Sequence, residues 1–510
     1  MDGSMGTFDI FFLEVYNSSL VGMGVYYRRK CRTAEQFMVA GRSIPAWAAG
    51  LAVMSAYTSS ISYIATPGMA FDSNWHPMIF ALCILPVTWL VCKYAVPYYR
   101  RTGLISVYSF LEERLGFWGR LYAALAFVLY MVCRVAVILY LASLLLSTFI
   151  RLDIRFVIIV IGAVTIVYTL LGGMEAVIWT DVMQSAIMII GVLFCAVSLS
   201  YYVSSGPEPL IQAAVEQGKF SFGSWNLSLD TQENLANRTI WVMIIFGVAE
   251  NLRNLLADQN YVQKYCSVAT ERQAKRSVWI AMLIYIPLTS VFLYIGTALF
   301  AFYSSPEHTL GVDITKGDQV FPYFIATELP LGLKGLIIAA ILAAAMSTVD
   351  SALNCSATVL LLDFYNRYFR PNSGAKASIL FLRSMTVVWG MLGIGFALLM
   401  INAKSALDIW WQMSAILGGG TLGLFLLALL RIRLCLWQGL VSIGVSIAVI
   451  SWATFIRHDF VTEHLPQSLH RLQCNIDKIA IGGLGTAALM AAACVFWLIN
   501  RNRAVTAGET

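Results

Sequence analysis

The sequence predicts an all-α polytopic membrane protein, and three observations carry that prediction. The 510 residues are 59% hydrophobic and only 12% charged, with a mean hydropathy of +0.73, whereas soluble domains carry about 25% charge. Thirteen apolar segments can be marked along the chain, each near the ~20 residues a helix needs to cross hydrocarbon. Lysines and arginines gather in alternate connections between those segments. The ten cysteines lie scattered in apolar stretches without paired spacing, so they read as small hydrophobes, not as a disulfide or metal framework. The net charge of +6 is spread over loops, with no basic patch that would suit a nucleic acid.

Taken in order, the first segment, 8–27, is the weakest, because Glu14, Asn17, Ser18 and Ser19 interrupt it. Arg28-Arg29-Lys30 follow it instead of a small-residue cleavage site, so no cleavable leader is expected. The second, 46–71, is expected to be broken by the run Tyr57-Thr58-Ser59-Ser60-Ile61-Ser62 and by Pro67-Gly68. Unwound backbone at membrane depth is tolerated where it lines a cavity, although Pro and Gly also make simple kinks. Segments 76–99, 121–149, 156–171, 176–204, 239–259, 277–303, 333–362 and 380–401 follow. Segment 408–430 carries an expected interruption at Gly418-Gly419-Gly420, and 434–456 and 478–499 complete the set.

Interrupted segments at corresponding positions suggest two inverted five-helix repeats plus extra helices. A single transmembrane domain over 1–510 is expected, with 46–204 as the first repeat, 239–430 as the second and 434–499 as additional helices. The cationic connections hold Arg28 to Arg32, Arg100 to Arg120, Arg272 to Arg276, Arg367 to Lys376, Arg431 with Arg433, and Arg501 with Arg503. By the positive-inside rule these face the cytoplasm, which puts the N-terminus outside and the C-terminus inside. The longest loops, 205–238 and 304–332, then lie outside. His76 and His308 fall in outer connections and are expected to be exposed.

The most informative stretch is Leu342-Ala-Ala-Ala-Met-Ser347-Thr348-Val-Asp350-Ser351-Ala-Leu-Asn354, a polar island inside an apolar run. Hydroxyls and a carboxylate are costly in hydrocarbon. They serve there either as helix–helix hydrogen-bonding groups or as oxygen ligands for a hard cation. Asp181 is a second intramembrane acid, suited to a cation or to a buried arginine. Arg134 is the obvious intramembrane arginine, either half of an ion pair or a clamp for an anion. Glu250 and Arg253 offer one i,i+3 pair, and Glu175 is expected at the cytoplasmic rim.

Several stretches together resemble one family. Gly41-Arg-Ser-Ile-Pro-Ala-Trp-Ala-Ala-Gly50, the Gly172-Gly173-Met-Glu-Ala-Val-Ile-Trp-Thr-Asp181 run, Asp258-Gln-Asn-Tyr-Val-Gln-Lys-Tyr265 and the Ser347–Asn354 island resemble the solute:sodium symporters. The surroundings of Asp181 and of Arg134-Val-Ala look similar to the bacterial sodium/sialic acid branch. The resemblance implies a leucine-transporter-type fold with Na+ as coupling ion. It implies a first sodium site from the carbonyls of Ser55, Thr58 and Ala344 with the hydroxyls of Ser347 and Thr348. It implies a second, present in some members, from Asp181 with Ser347, Asp350 and Ser351. Asp350 stands where that branch has a serine, which leaves the number of coupled ions open and admits a proton-linked variant.

By the same resemblance Arg134 matches the arginine that holds the carboxylate of sialic acid, implying an anionic sugar acid as cargo. Ala81 stands where that branch has a substrate-contacting glutamine, so a neutral sugar of the glucose or galactose type is the alternative. Ser59, Ser60 and Ser62 offer hydroxyls on the broken helix. Trp410, Trp411 and Gln412 either cap a sugar ring by stacking or belong to an interfacial belt. The implied function is sodium-coupled import by alternating access in the cell (inner) membrane. The implied partners are a small organic anion or sugar and the lipid bilayer, with no nucleic acid and a monomer as the working unit. No nucleophile elbow or phosphate-cradling loop argues for an enzyme. A non-transporting solute sensor is the other class to weigh, although no large output domain follows the last segment.

Overall fold

Each of the expected apolar segments coincides with helix in the computed structural model. The structure describes residues 6–506 apart from 104, 151, 205–208, 227–238, 306–307, 312–313, 315, 331, 372–373, 402–405, 456–473 and 475–477. Among the described residues nine helices are long and apolar enough to cross a bilayer, or ten if a bent pair at 34–57 is taken as one span. The remaining expected spans are shorter, broken or more polar helices.

In chain order the elements that build the site are α1 (Thr7–Arg28), α2 (Ala34–Val39), α3 (Ala46–Tyr57), α4 (Ser60–Asp72), α5 (Pro77–Thr102), α6 (Phe117–Ile150) and α7 (Ile154–Ser204). Then come α8 (Ile240–Leu252), α9 (Gln259–Cys266), α10 (Glu271–Tyr303), α11 (Gly317–Thr327), α12 (Leu333–Val359), α13 (Ala375–Met400), α14 (Ala406–Leu429), α15 (Leu436–Phe455) and α16 (Ile481–Thr506). With 51 residues and about 1.5 Å of rise per residue, α7 is about 75 Å long, more than twice the ~30 Å hydrocarbon core. It therefore holds two legs. The joint is Gly173 at φ 59°, a conformation a side chain disfavours. Its backbone also lies against Phe37 of α2, where a Cβ would come within 2.9 Å.

The core centres on α12, in which every residue from Ile337 to Val359 is buried. It packs against α7, α6, α13, α1, α3 and α4. Alanines along one stretch, Ala339–Ala345, allow that close approach. On the other side α10 lies across α3, α4, α5 and α7. At its contact with α4, Gly296 meets the carbonyl of Pro67 where a Cβ would stand only 2.1 Å away. The C-terminal α15 and α16 pack on each other and on α14.

Three expectations fail. Pro67-Gly68 does not break the second segment; both residues lie inside α4, and the break falls earlier, at Thr58-Ser59. Gly418-Gly419-Gly420 does not interrupt its segment either, because α14 runs through it as continuous helix. Those glycines make room instead: a Cβ on Gly420 would stand 2.7 Å from the Tyr122 hydroxyl, and one on Gly419 2.8 Å from Ile450. His76 is fully buried, held with Asn74 at 2.9 Å between ring nitrogen and amide oxygen, since the connection after α4 folds inward. His308 is partly buried and stacks on Phe302 at 3.9 Å.

Candidate functional site

The break between α3 and α4 is made by two residues in extended geometry, Thr58 (φ −99°, ψ 93°) and Ser59 (φ −95°, ψ 172°). Ser59 caps the new helix, its Oγ accepting from the Ser62 amide at 3.5 Å. A helix that stops leaves its last carbonyls without amide partners. The Thr58 amide turns back to the carbonyls of Met54 and Ser55, each at 3.1 Å. On α12, which packs against both α3 and α4, the hydroxyls of Ser347 and Thr348 both donate to the Ala344 carbonyl at 3.1 Å. Their protons are thereby committed and their lone pairs are available to a cation. The Ser55 Oγ is buried with no hydrogen-bond partner among the described residues. The carbonyls of Ser55 and Thr58 and the three oxygens of the α12 turn lie on helices that pack together, and oxygens of this kind are what a hard monovalent cation takes as ligands.

Arg134 comes from α6 and is 7% exposed. One guanidinium nitrogen donates to the Ala56 carbonyl at 3.1 Å, and the Tyr261 hydroxyl donates to the same carbonyl at 3.2 Å. The arginine thus stands at the end of α3, one residue from Ser55. Among the described residues no carboxylate forms an ion pair with it within 4 Å. Asp258, an acid whose charge acts on it, already faces Arg253 at 3.8 Å. Arg253, just past the end of α8, pairs with Glu250 of that helix, its Nε donating to a carboxylate oxygen at 3.0 Å, and lies over the Tyr130 ring at 5.1 Å. The i,i+3 pair expected at Glu250–Arg253 is thus formed, and Arg134 is left with charge to offer.

Asp181 does not meet an arginine. Its carboxylate lies 2.8 Å from the ammonium of Lys264 on α9, both side chains fully buried. Lys264 also donates to the Ala52 carbonyl of α3 at 3.0 Å. Asp350 accepts from the Tyr168 hydroxyl at 2.8 Å. The Thr180 and Ser351 hydroxyls lie 3.4 and 3.1 Å from it, but their protons have closer acceptors in the Ala176 and Val177 carbonyls at 2.9 Å and the Ser347 carbonyl at 2.7 Å. In the sequence Lys264 and Tyr261 are quoted only as part of the Asp258–Tyr265 stretch, without a role, and Tyr168 is not singled out. Lys264 and Tyr261 sit in a short polar helix that looks like a loop, and a tyrosine in an apolar span looks like packing. Glu175, expected at the rim, pairs there with Lys30 at 3.3 Å.

A cavity of about 470 Å³ opens beside α4, lined by Ser60, Ile64 and Leu141 below and by Asp318, Gln319 and Tyr323 of α11 at its mouth. Among the described residues Ser60 is the one expected substrate residue on its wall; Ser59 is buried and Ser62 half-buried. Ala81 is fully buried. The helix backbone of α14 includes Trp410 and Gln412, whose side chains lie outside the described set. At the mouth, burial raises the Asp318 carboxyl from 3.8 to about 6; the neighbouring Asp72 adds to the rise and Lys316 offsets part of it. Asp72 itself accepts from the Gly317 amide at the start of α11 at 3.0 Å.

Comparison with known proteins gives a concordant result. The model of the sodium:solute symporter family matches residues 37–439. The sodium/sialic acid symporter NanT of Aliivibrio fischeri is 31% identical over 455 residues, covering 88% of this chain and 88% of that protein. The sodium/sialic acid symporter SiaT of Proteus mirabilis is 31% identical over 447 residues, covering 86% and 88%. The human sodium-coupled monocarboxylate transporter 1 is 28% identical over 84% of this chain and 70% of its own. Among solved structures, the substrate-bound outward-open state of a Na+-coupled sialic acid symporter superimposes with a TM-score of 0.86 at 27% identity, covering 97% of this chain and 98% of that one. A nucleobase-cation-symport-1 family transporter in a closed conformation, at 17% identity and a TM-score of 0.53 over 92% and 95%, shares the fold alone.

Proposed function

The chain belongs to the sodium:solute symporter family, and on that premise we propose that its cargo is an anionic sugar acid of the sialic acid kind, carried inward with sodium by alternating access. It is a multi-pass, all-helical, sodium-coupled transporter of the leucine-transporter-type fold, not an enzyme. The observation that carries the cargo assignment is Arg134: a buried guanidinium, next to the helix break, with no carboxylate paired to it among the described residues. Leaving such a charge in a membrane interior is costly unless a ligand answers it. A carboxylate reaching it from the Ser60 side of the break would meet the hydroxyls of Ser59, Ser60 and Ser62 on the way. In this reading the repeats 46–204 and 239–430 move against each other.

Sodium held by Ser55, Thr58, Ala344, Ser347 and Thr348 braces α3 and α4 against α12. It thereby favours the state in which the 470 Å³ cavity is open to the outside. Coupling is the difference in sodium and substrate affinity between the two states. The membrane potential adds about 2.3 kcal/mol per charge per 100 mV. The protein works as a monomer in the cell (inner) membrane, with its N-terminus outside and its C-terminus in the cytoplasm.

The test is uptake of radiolabelled N-acetylneuraminate and of a neutral hexose into proteoliposomes, with and without an inward sodium gradient. Sodium-driven accumulation of the acid alone is expected. Arg134→Ala should cut it roughly 30-fold or more, the loss for truncating one partner of a buried charge pair. Hexose accumulation alone, or acid uptake by Arg134→Ala at the unmutated affinity, would sink the assignment.

A further inference from the structure

The residues implied for a second sodium do not fit that ion here. Asp181 is the acid such a site needs most, and the Lys264 ammonium already stands 2.8 Å from it. Lys264 is anchored from behind by the Ala52 carbonyl at 3.0 Å, so the contact is held by two helices. The other acid, Asp350, accepts from the Tyr168 hydroxyl at 2.8 Å, the Thr180 and Ser351 hydroxyls lie beside it at 3.4 and 3.1 Å, and Lys264 lies within electrostatic reach of it too. Tyr168 is turned toward this cluster, its hydroxyl also 3.4 Å from the Met346 carbonyl. Gln184 and Tyr16 close the cluster on the α1 side, the amide donating to the phenol oxygen at 3.0 Å. A sodium ion bound to Asp181 would sit roughly 4 Å from a full positive charge. In surroundings of intermediate polarity that repulsion weakens binding about a thousandfold.

We propose that the Lys264 ammonium is a resident cation that takes the place of the second sodium, so that this chain binds and couples one sodium per cycle, at the Ser347–Thr348 turn. Lys264 is therefore a residue that sets stoichiometry, acting on the ion count through Asp181 and not by contact with the cargo. Its amine is tied to the chain, so it serves every cycle without being transported. The link it makes between α9, α7 and α3 persists whether or not sodium is present. The inference rests on the sodium-coupled reading above.

The experiment counts sodium directly, without substrate: equilibrium binding of ²²Na+ to the purified full chain in detergent. One sodium per chain is expected for the unmutated protein, and Thr348→Val should bind it about tenfold more weakly without changing the count. Lys264→Gln frees both carboxylates and should raise the count to two, while Lys264→Gln with Asp181→Asn should return it to one. Two sodium ions per unmutated chain would overturn this inference alone. So would a count that stays at one in a folded Lys264→Gln variant. No saturable sodium in the unmutated protein would overturn the sodium-site reading as well. The count on the unmutated chain stands as a test even where Lys264→Gln fails to fold.

Discussion

Single side chains decide the chemistry here. Ser347 and Thr348 each spend their proton on the Ala344 carbonyl, so either oxygen lost is one ligand in five. Thr348→Val should raise the sodium concentration for half-maximal uptake about tenfold, or ~1.4 kcal/mol, at unchanged cargo affinity in saturating sodium. A sodium titration of initial rates checks it. Asp318, at the cavity mouth, gives a second prediction. Its carboxyl titrates near 6, chiefly because it is buried. A carboxyl raised on folding favours the folded form below 3.8, and that contribution is lost as the pH rises through 6. Above 6 the mouth also carries one more negative charge against an anionic cargo. Uptake of the acid at fixed sodium gradient should therefore fall between pH 5 and 7, and Asp318→Asn should flatten that step. The same scale shows what a sequence displays and hides. Ser347, Thr348, Asp350 and Asp181 were legible because a polar atom stands out in an apolar run. Lys264 was not, because α9 is polar throughout and reads as a cytoplasmic connection until it is seen to be buried.

At the scale of elements, the site is made by one helix that stops and one that does not. The break in α3–α4 was legible as a cluster of hydroxyl residues, which compete with the backbone for hydrogen bonds. The uninterrupted course of α14 was not, since a glycine needed for a turn and a glycine needed for close packing are the same letter. Packing explains the second kind, and it can be tested. Gly296→Val places a side chain against the Pro67 carbonyl, where even a Cβ would stand at 2.1 Å. The cost should be about 1–3 kcal/mol of overpacking, read as a lower unfolding temperature in detergent. Gly22→Ala on α1, with nothing within 4 Å of the new methyl, is the matched control and should be neutral.

For the molecule as a whole, the arginine-rich side is clasped by charges. Arg120 holds Asp363 and Glu112, each at 2.6 Å, and Arg367 holds Glu112 at 2.6 Å. The clasp ties α6 to the end of the α12 span on the side where the cationic loops lie. Glu112 is partly buried, which opposes ionisation, yet the two arginines win and its carboxyl is held below 4.5. The proposed orientation has a direct check in Cys435, the exposed cysteine among those described, which lies between Arg433 and α15. A membrane-impermeant maleimide should label it in inside-out vesicles and leave it unlabelled in right-side-out ones. Labelling in the reverse pattern would invert the topology. The proposed orientation rests on loop charge alone, which follows a rule; the depth and mouth of the cavity were not legible, since they arise from α4, α6 and α11 meeting across long separations in sequence.

The Lys264–Asp181 contact also has a consequence for how the chain is made. Asp181 enters the membrane 83 residues before its partner is synthesised, a delay of roughly 4–16 s at the usual pace of translation. Until α9 arrives, the nascent bundle holds an acid without its counter-charge. Maturation of the first seven helices therefore waits on a short segment that none of them contains, and a ribosome stalled in the 205–258 interval should release a product that membrane proteases clear.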